Sequence, residues 1–233
     1  MTVENGGADK KFFLLGTDYN ARDTFSRMIY GARVSLAVGI VASAIGLFIG
    51  MLIGVLSGFY SGWIDSVLMR FTDTVFAFPS VLLAVAITAV FDKPNLGIVF
   101  LALGAVGWTG LARIVRSQVL SIKTLDYIAA ARSLGASNAR ILFYQILPNC
   151  FGNIVAVLTL SVGGNILGEA GLSFLGLGVQ EPYPSWGAML AEARENYREA
   201  WWLGVFPGLA IVLTVLAFNL LGDGLRDALD RKS

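Results

Sequence analysis

The chain has 233 residues, 56% apolar and 14% charged, with a formal net charge of +1 and a mean hydropathy of +0.70. Soluble domains run at about 45–50% apolar and about 25% charged, so the composition is that of an integral membrane protein. There is no histidine and a single cysteine, Cys150. That excludes Ser-His-Asp and Cys-His catalysis, an HExxH zinc site, an internal disulfide and a CxxC motif. None of Lys10, Lys11, Lys93, Lys123 and Lys232 follows a glycine, so no GK[ST] phosphate loop exists and any ATP must be bound by another chain. The near-zero net charge offers nothing to nucleic acid, and no metal-ligating cluster is apparent.

Residues 1–33 are polar, with five basic and four acidic side chains and no apolar core of the kind a signal peptide needs. Five uncharged stretches follow, at 34–64, 74–91, 94–112, 141–168 and 200–222. A bilayer crossing takes about 20 apolar residues, and the stretches predict spans near 35–58, 75–91, 96–115, 150–169 and 201–222. The expected fold class is therefore all-α and polytopic, with about five transmembrane helices. The domain organisation is a polar extracytoplasmic segment, 1–33, and a transmembrane domain, 34–233. Residues 113–140 carry five basic side chains against Asp126 alone, whereas 170–198 carry Arg194 and Arg198 against three glutamates. The positive-inside rule places the first loop in the cytoplasm and the second outside. Counting back puts the amino terminus outside, so that Lys10, Lys11, Arg22, Arg27 and Arg33 would be translocated without a preceding span; a missing upstream helix would explain this.

In the first span Gly46, Gly50, Gly54 and Gly58 recur every four residues, and Ala42 extends the row. Such a face lets a neighbouring helix approach closely, either within this subunit or at an interface with another. Pro79 falls in the first turn of the second span, where proline is tolerated. Ser161, Asn165 and Glu169 are four residues apart at the end of the fourth span. They could share a polar stripe along a translocation path, or serve as helix–helix glue, with Glu169 hydrated at the membrane boundary. Trp201 and Trp202 read as interfacial anchors. Beyond them in space, Pro182, Pro184 and Trp186 predict a structured turn leading into a surface helix through Ala188–Tyr197, which is either a docking surface or a plug over the spans.

The basic loop runs Asp126-Tyr-Ile-Ala-Ala-Ala-Arg-Ser-Leu-Gly135-Ala-Ser and on to Ile146-Leu-Pro148-Asn. Ala129, Ala130 and Ala131 favour a helix over 125–134. Gly135 is placed to end it in a left-handed turn, and Ser137 to cap a second helix running toward Pro148, which starts the next span or breaks the helix before it. The expected object is a two-helix knob projecting from the membrane at about 120–148.

This loop is similar to the EAA loop of bacterial ABC-importer permeases: Glu-Ala-Ala, three residues, Gly, nine residues, Ile-x-Leu-Pro. Ala130, Ala131, Gly135, Leu147 and Pro148 match in register; Ala129 stands where the pattern has Glu, and Gln145 where it has Ile. Leu15-Gly-Thr-Asp-Tyr-Asn-Ala-Arg, Tyr30-Gly-Ala-Arg-Val-Ser-Leu and Leu172-Ser-Phe-Leu-Gly-Leu-Gly-Val-Gln-Glu-Pro-Tyr-Pro-Ser-Trp-Gly further resemble the "C" permease subunit of dipeptide, oligopeptide and nickel importers. The resemblance runs from about residue 14 to the carboxyl terminus. It implies the MetI-like permease fold of type I ABC importers, with its first helix missing here. It also implies a second permease subunit, two ABC ATPase subunits that bind ATP and Mg, and an extracytoplasmic solute-binding protein. This chain then binds no cofactor and is not itself an enzyme; it sits in the bacterial or archaeal plasma membrane. Ala129, Ala130, Ala131, Gly135, Ala136, Ser137, Leu147 and Pro148 would form the ATPase-coupling loop. A nickel or other small-solute importer is the nearest alternative, and a stand-alone secondary transporter a more distant one, because the spans lack the charges and repeats that ion coupling needs.

Overall fold

Two ends and one helix pair organise the chain, which is seen in a computed structural model describing residues 13–91, 94–194, 198 and 200–230. The helices, in order, are α1 (Thr24–Tyr60), α2 (Gly62–Phe76), α3 (Ser80–Ala89), α4 (Leu96–Lys123), α5 (Asp126–Ser133), α6 (Asn138–Ile141), α7 (Leu147–Phe174), α8 (Trp186–Ala193) and α9 (Trp202–Asp230). Four of these runs are long and apolar enough to cross a bilayer: α1, α4, the continuous stretch Asn138–Phe174, and α9.

The expected span at 75–91 is not one helix. Its residues divide between the end of α2 and all of α3, a pair bent by 80° at Ala77–Pro79. Pro79 fixes its own φ and forces the residue before it out of the helical region, so the chain turns there and restarts at Ser80. With ten residues, α3 is about 15 Å long and cannot cross the hydrocarbon core alone. Residues 24–33 likewise do not belong to a separate polar segment. Asp23 accepts hydrogen bonds from the backbone N–H groups of Phe25 and Ser26, which starts α1 ten residues ahead of Val34. Residues 113–123 are the last turns of α4, not loop. The part of the amino-terminal segment before residue 13 lies outside the described residues.

The tightest contact is between α1 and α4. The glycine row faces α4 of the same chain. A Cβ on Gly54 would lie 2.5 Å from the Ala112 carbonyl oxygen, and one on Gly50 2.9 Å from that of Trp108. A Cβ on Gly58 would meet the Val119 side chain at 2.8 Å. The approach is reciprocal, because a Cβ on Gly104 would collide with Ile45. Lipid provides no hydrophobic drive for helix pairing, so such backbone-to-backbone closeness is what makes dispersion sufficient. At the end of α1, Ser61 and Gly62 both take positive φ (54° and 64°), which reverses the chain into α2.

α7 packs between α1 and α9, and α8 lies across the far end of the bundle. The Trp186 indole donates to the Met28 carbonyl at 3.0 Å, and its backbone N–H donates to Ser35 Oγ at 3.1 Å. Trp186 and Trp108 are both buried. The start of α1 and residues 181–193 share one end of the bundle; the end of α1 and α5–α6 share the other.

We expect Gly54→Leu to separate α1 from α4 and lower stability by about 2 kcal/mol or more, the scale of overpacking a filled contact. Gly110→Ala meets open space and leaves the thermal midpoint of the detergent-purified protein unchanged or slightly raised, which provides the control.

Candidate functional site: two-helix knob, cavity and opposite cap

At one end, α5 and α6 form the expected knob. Ala136 N–H donates to the Ala131 carbonyl and Gly135 N–H to that of Arg132, both at 3.0 Å, with Gly135 at φ +81°. This is the paired hydrogen-bond closure that a left-handed glycine permits at a helix end. Ser137 Oγ then accepts from Arg140 N–H and caps α6. Ala129, Ala130, Gly135, Ser137 and Pro148 are exposed; Ala131, Ala136 and Leu147 are half-buried. Ala129, where the related pattern carries Glu, sits on the exposed face.

The knob is fastened from below. Ile128, Ile141 and Ile146 are buried in one cluster with Val115, Val119, Ile122, Cys150 and Ile154. Each such isoleucine contributes about 2 kcal/mol of burial. Above this anchor the surface is apolar and open: Leu134 is 89% exposed, and Phe143 and Tyr144 are exposed beside a groove lined by Ala139, Arg140 and Gln145.

Pro148 neither starts a new helix nor breaks the old one. Residues Leu142–Ile146 form a π-helical turn, and the helix continues through Leu147 and Pro148 to Phe174. Proline removes the N–H that would bond to the carbonyl four residues back and its ring crowds that carbonyl. The wider turn makes room, and Asn149 Nδ2 donates to the Gln145 carbonyl at 2.5 Å.

Between α3, α4 and α7 lies a cavity of about 360 Å³, lined by Ser80, Val81, Leu103, Gly107, Asn165 and Gly168 among others. Of the three residues read as a polar stripe, only Asn165 reaches it. Asn165 Nδ2 also donates to Ser43 Oγ of α1 at 2.8 Å, and Ser161 Oγ donates back to the Val157 carbonyl. Glu169 is not a hydrated boundary residue: it is 0% exposed. Its Oε1 accepts from Ser173 Oγ (2.6 Å) and Ser185 Oγ (2.7 Å), and Oε2 has no hydrogen-bond partner among the described residues. Since Ser185 also caps α8, Glu169 seats that helix on α7. Gly187 makes the seat possible, because a Cβ there would lie 2.6 Å from Ala170 Cα. The surface helix predicted through Tyr197 is observed as α8, ending at Ala193; residues 195–197 lie outside the described residues.

Two ionic groups escaped the sequence reading. At the end where α1 begins, Arg27 bonds Asp18 and Glu192, and Arg22 bonds Asp18 and Glu181, at 2.5–2.6 Å. Burial pushes the Asp18 carboxyl up, but hydrogen bonds from the Arg22 backbone and guanidinium, with the charge of Arg27, outweigh it and hold the group below its ordinary value. At the other end, Arg116 grips Asp65 through two bonds of 2.6 Å, and Ser57 Oγ donates to the same carboxylate. Arg113 bonds Asp73 at 2.6 Å. The spacing of Asp65 and Asp73 on α2, and of Arg113 and Arg116 on α4, was the available signal; reading charges only as span boundaries concealed it.

Long apolar helices around an open cavity, with a rigid two-helix knob at one end and a capped opposite end, are the build of a membrane transport permease. Residues 46–233 match the family described as binding-protein-dependent transport system inner membrane component. The glutathione transport system permease protein GsiD of Salmonella typhimurium (strain LT2) is 51% identical over 231 residues, covering 99% of this chain and 75% of that protein. GsiD of Pectobacterium atrosepticum is 49% identical over 218 residues, covering 94% and 72%. Among solved structures, the MetNI methionine ABC transporter in an inward-facing conformation has a TM-score of 0.75 at 19% identity, over 88% of this chain and 97% of that one. An amino acid ABC transporter has a TM-score of 0.67 at 19% identity, over 88% and 94%. The chain belongs to the binding-protein-dependent transport inner membrane component family: it is a multi-pass permease subunit of an ABC importer, with the MetI-like fold.

Because the folded Asp18 carboxyl titrates below its ordinary 3.8, the stability it lends is present above that value and is lost as pH falls through the folded value. Protease protection of residues 181–193 should stay level from about pH 8 to about pH 5 and drop only below about pH 4. Asp18→Asn should remove the protection at every pH.

Proposed function

We propose that this chain forms, with a second permease of similar fold, the path of an ATP-driven importer of di- or oligopeptides in a bacterial inner membrane. The observation that carries the reading is the knob: an exposed, apolar two-helix surface fixed to the bundle by three buried isoleucines and closed by Gly135. Two ABC ATPase subunits bind and hydrolyse ATP with Mg, and the knob sits in a cleft on one of them, on the cytoplasmic side. Leu134, Phe143 and Tyr144 supply apolar area that water would otherwise cover. ATP shifts the transporter between inward-open and outward-open states because it favours one of them, as any effector must.

The outer cap, from Val179 to Ala193, receives an extracytoplasmic solute-binding protein. The Asp18–Arg22–Arg27–Glu181–Glu192 cluster keeps that surface in one shape. The cavity beside Asn165 belongs to the translocation path. The peptide assignment is supported by the glutathione permeases at about half identity, since glutathione is itself a small peptide. Selectivity resides first in the binding protein.

Affinity purification of this chain from its native membrane in mild detergent tests the reading. It should recover a P-loop ATPase, a second permease and a peptide-binding protein; recovery of the chain alone, from a preparation that preserves other membrane complexes, overturns it. A finer test is Gly135→Val. A β-branched residue is strongly disfavoured at φ +81°, so the α5–α6 turn must rearrange. ATPase association should persist while uptake per ATP falls about tenfold, the effect of about 1.4 kcal/mol of lost coupling.

A further inference from the structure

The face of α4 that lines the cavity runs on beyond it. The cavity's α4 wall contains Leu103, Val106 and Gly107. The same helical face continues to Gly110, where, as at Gly107 and Gly164, an added Cβ would meet nothing within 4 Å. One turn further is Arg113. A strip without side chains thus leads from the cavity toward a guanidinium about 9 Å along the helix.

Arg113 directly follows the uncharged stretch 94–112 of α4. It shares a turn with Ala112, whose carbonyl opposes Gly54, and Gly54 is six residues, about 9 Å, inside the end of α1. Its side chain is 41% exposed and that of its partner Asp73 59% exposed. A charged pair on the flank of apolar helices favours protein or a water-filled path over lipid. The neighbouring Arg116–Asp65 pair shows what a structural clasp looks like here: two bonds, help from Ser57 and less exposure. Arg113–Asp73 has one bond, from Nη2 to Oδ1. The guanidinium plane is supported by the Phe76 ring, 4.1 Å from ring centre to guanidinium carbon, at the corner of the bent α2–α3 pair. An arginine carries five N–H donors in a fork suited to a carboxylate, and most of these remain open.

We propose that Arg113 and Asp73 form a charge-reading station in the path: Arg113 takes the carboxylate of a transiting peptide, and Asp73 takes its ammonium group. This rests on the peptide-importer reading above. Without peptide the two residues neutralise each other; with a zwitterion present each exchanges its partner, so no charge is left unpaired at any stage. A peptide with a blocked end leaves one of the two unpaired and crosses poorly.

The test uses the complete transporter in proteoliposomes, with its ATPases and saturating binding protein. Uptake is compared for a free tripeptide, its carboxyl-terminal amide and its N-acetyl form, at matched binding-protein occupancy. Binding-protein-stimulated ATPase activity reports assembly. R113Q should keep stimulated ATPase activity, lose about tenfold of free-peptide uptake, and no longer distinguish free peptide from amide, a loss on the scale of one charge-assisted bond. R113K should keep most of the preference. D73N, which leaves Arg113 charged, should keep the carboxylate preference and lose discrimination against the acetylated peptide. Wild-type selectivity in R113Q, or an unchanged acetyl preference in D73N, overturns the station. If the wild-type complex takes up no peptide at all, it is the peptide reading that falls instead.

Discussion

The backbone contact between α1 and α4 is the constraint from which the other features follow. Three glycines on α1 remove the side chains that would hold the two helices apart, and α4 fills the space with its own carbonyls and with Leu111, Val115 and Val119. Once α4 is pressed against α1, its remaining faces have fixed assignments. One turns Arg116 toward Asp65 and so fixes the start of α2. Another turns Gly107 and Gly110 toward open space. Its last turns carry Val119 and Ile122 into the cluster that holds α5 and α6. A single added methyl group at Gly54 would therefore disturb the cavity and the knob together, although it touches neither.

The two ends are held by different physics. At the knob end, burial of aliphatic side chains holds α5 and α6, while the Arg116–Asp65 and Arg113–Asp73 pairs join α4 to α2 beside them. At the outer end the joints are hydrogen bonds and charges: Glu169 to Ser173 and Ser185, Trp186 to Ser35 and Met28, and the arginine pair to three carboxylates. Under the coupling and docking roles proposed above, a surface that forces must pass through benefits from a packed core that resists shear, and one that receives and releases a partner benefits from contacts that water can replace.

The sequence was most informative where one residue decides one conformation. Gly135 ends α5, Ser137 caps α6, and the glycine row requires a close neighbour; each is legible because few alternatives exist. The long apolar runs gave four crossing helices for the same reason. The bent α2–α3 pair was not legible as a run, because Arg70 and Asp73 on one side and Pro79 on the other look alike whether they bound a span or interrupt one. Glu169 was ambiguous from its position alone. Its burial depends on Ser185 and Gly187, which arrive at the start of α8, sixteen and eighteen residues away in sequence. Asn165, Ser161 and Glu169 share a periodicity but have three different sets of partners, which no spacing argument distinguishes.

The π turn at Leu142–Ile146 has a mechanical meaning. By absorbing Pro148 without a break, it makes Asn138–Phe174 one rod of 37 residues, about 55 Å long. One tip of that rod is the knob, and the other carries the carboxylate that seats α8. If such a rod moves as one body, a sideways push on the knob tip displaces the opposite tip as well, with no joint in between to lose it. Whatever moves the knob therefore also moves the floor on which the outer cap rests.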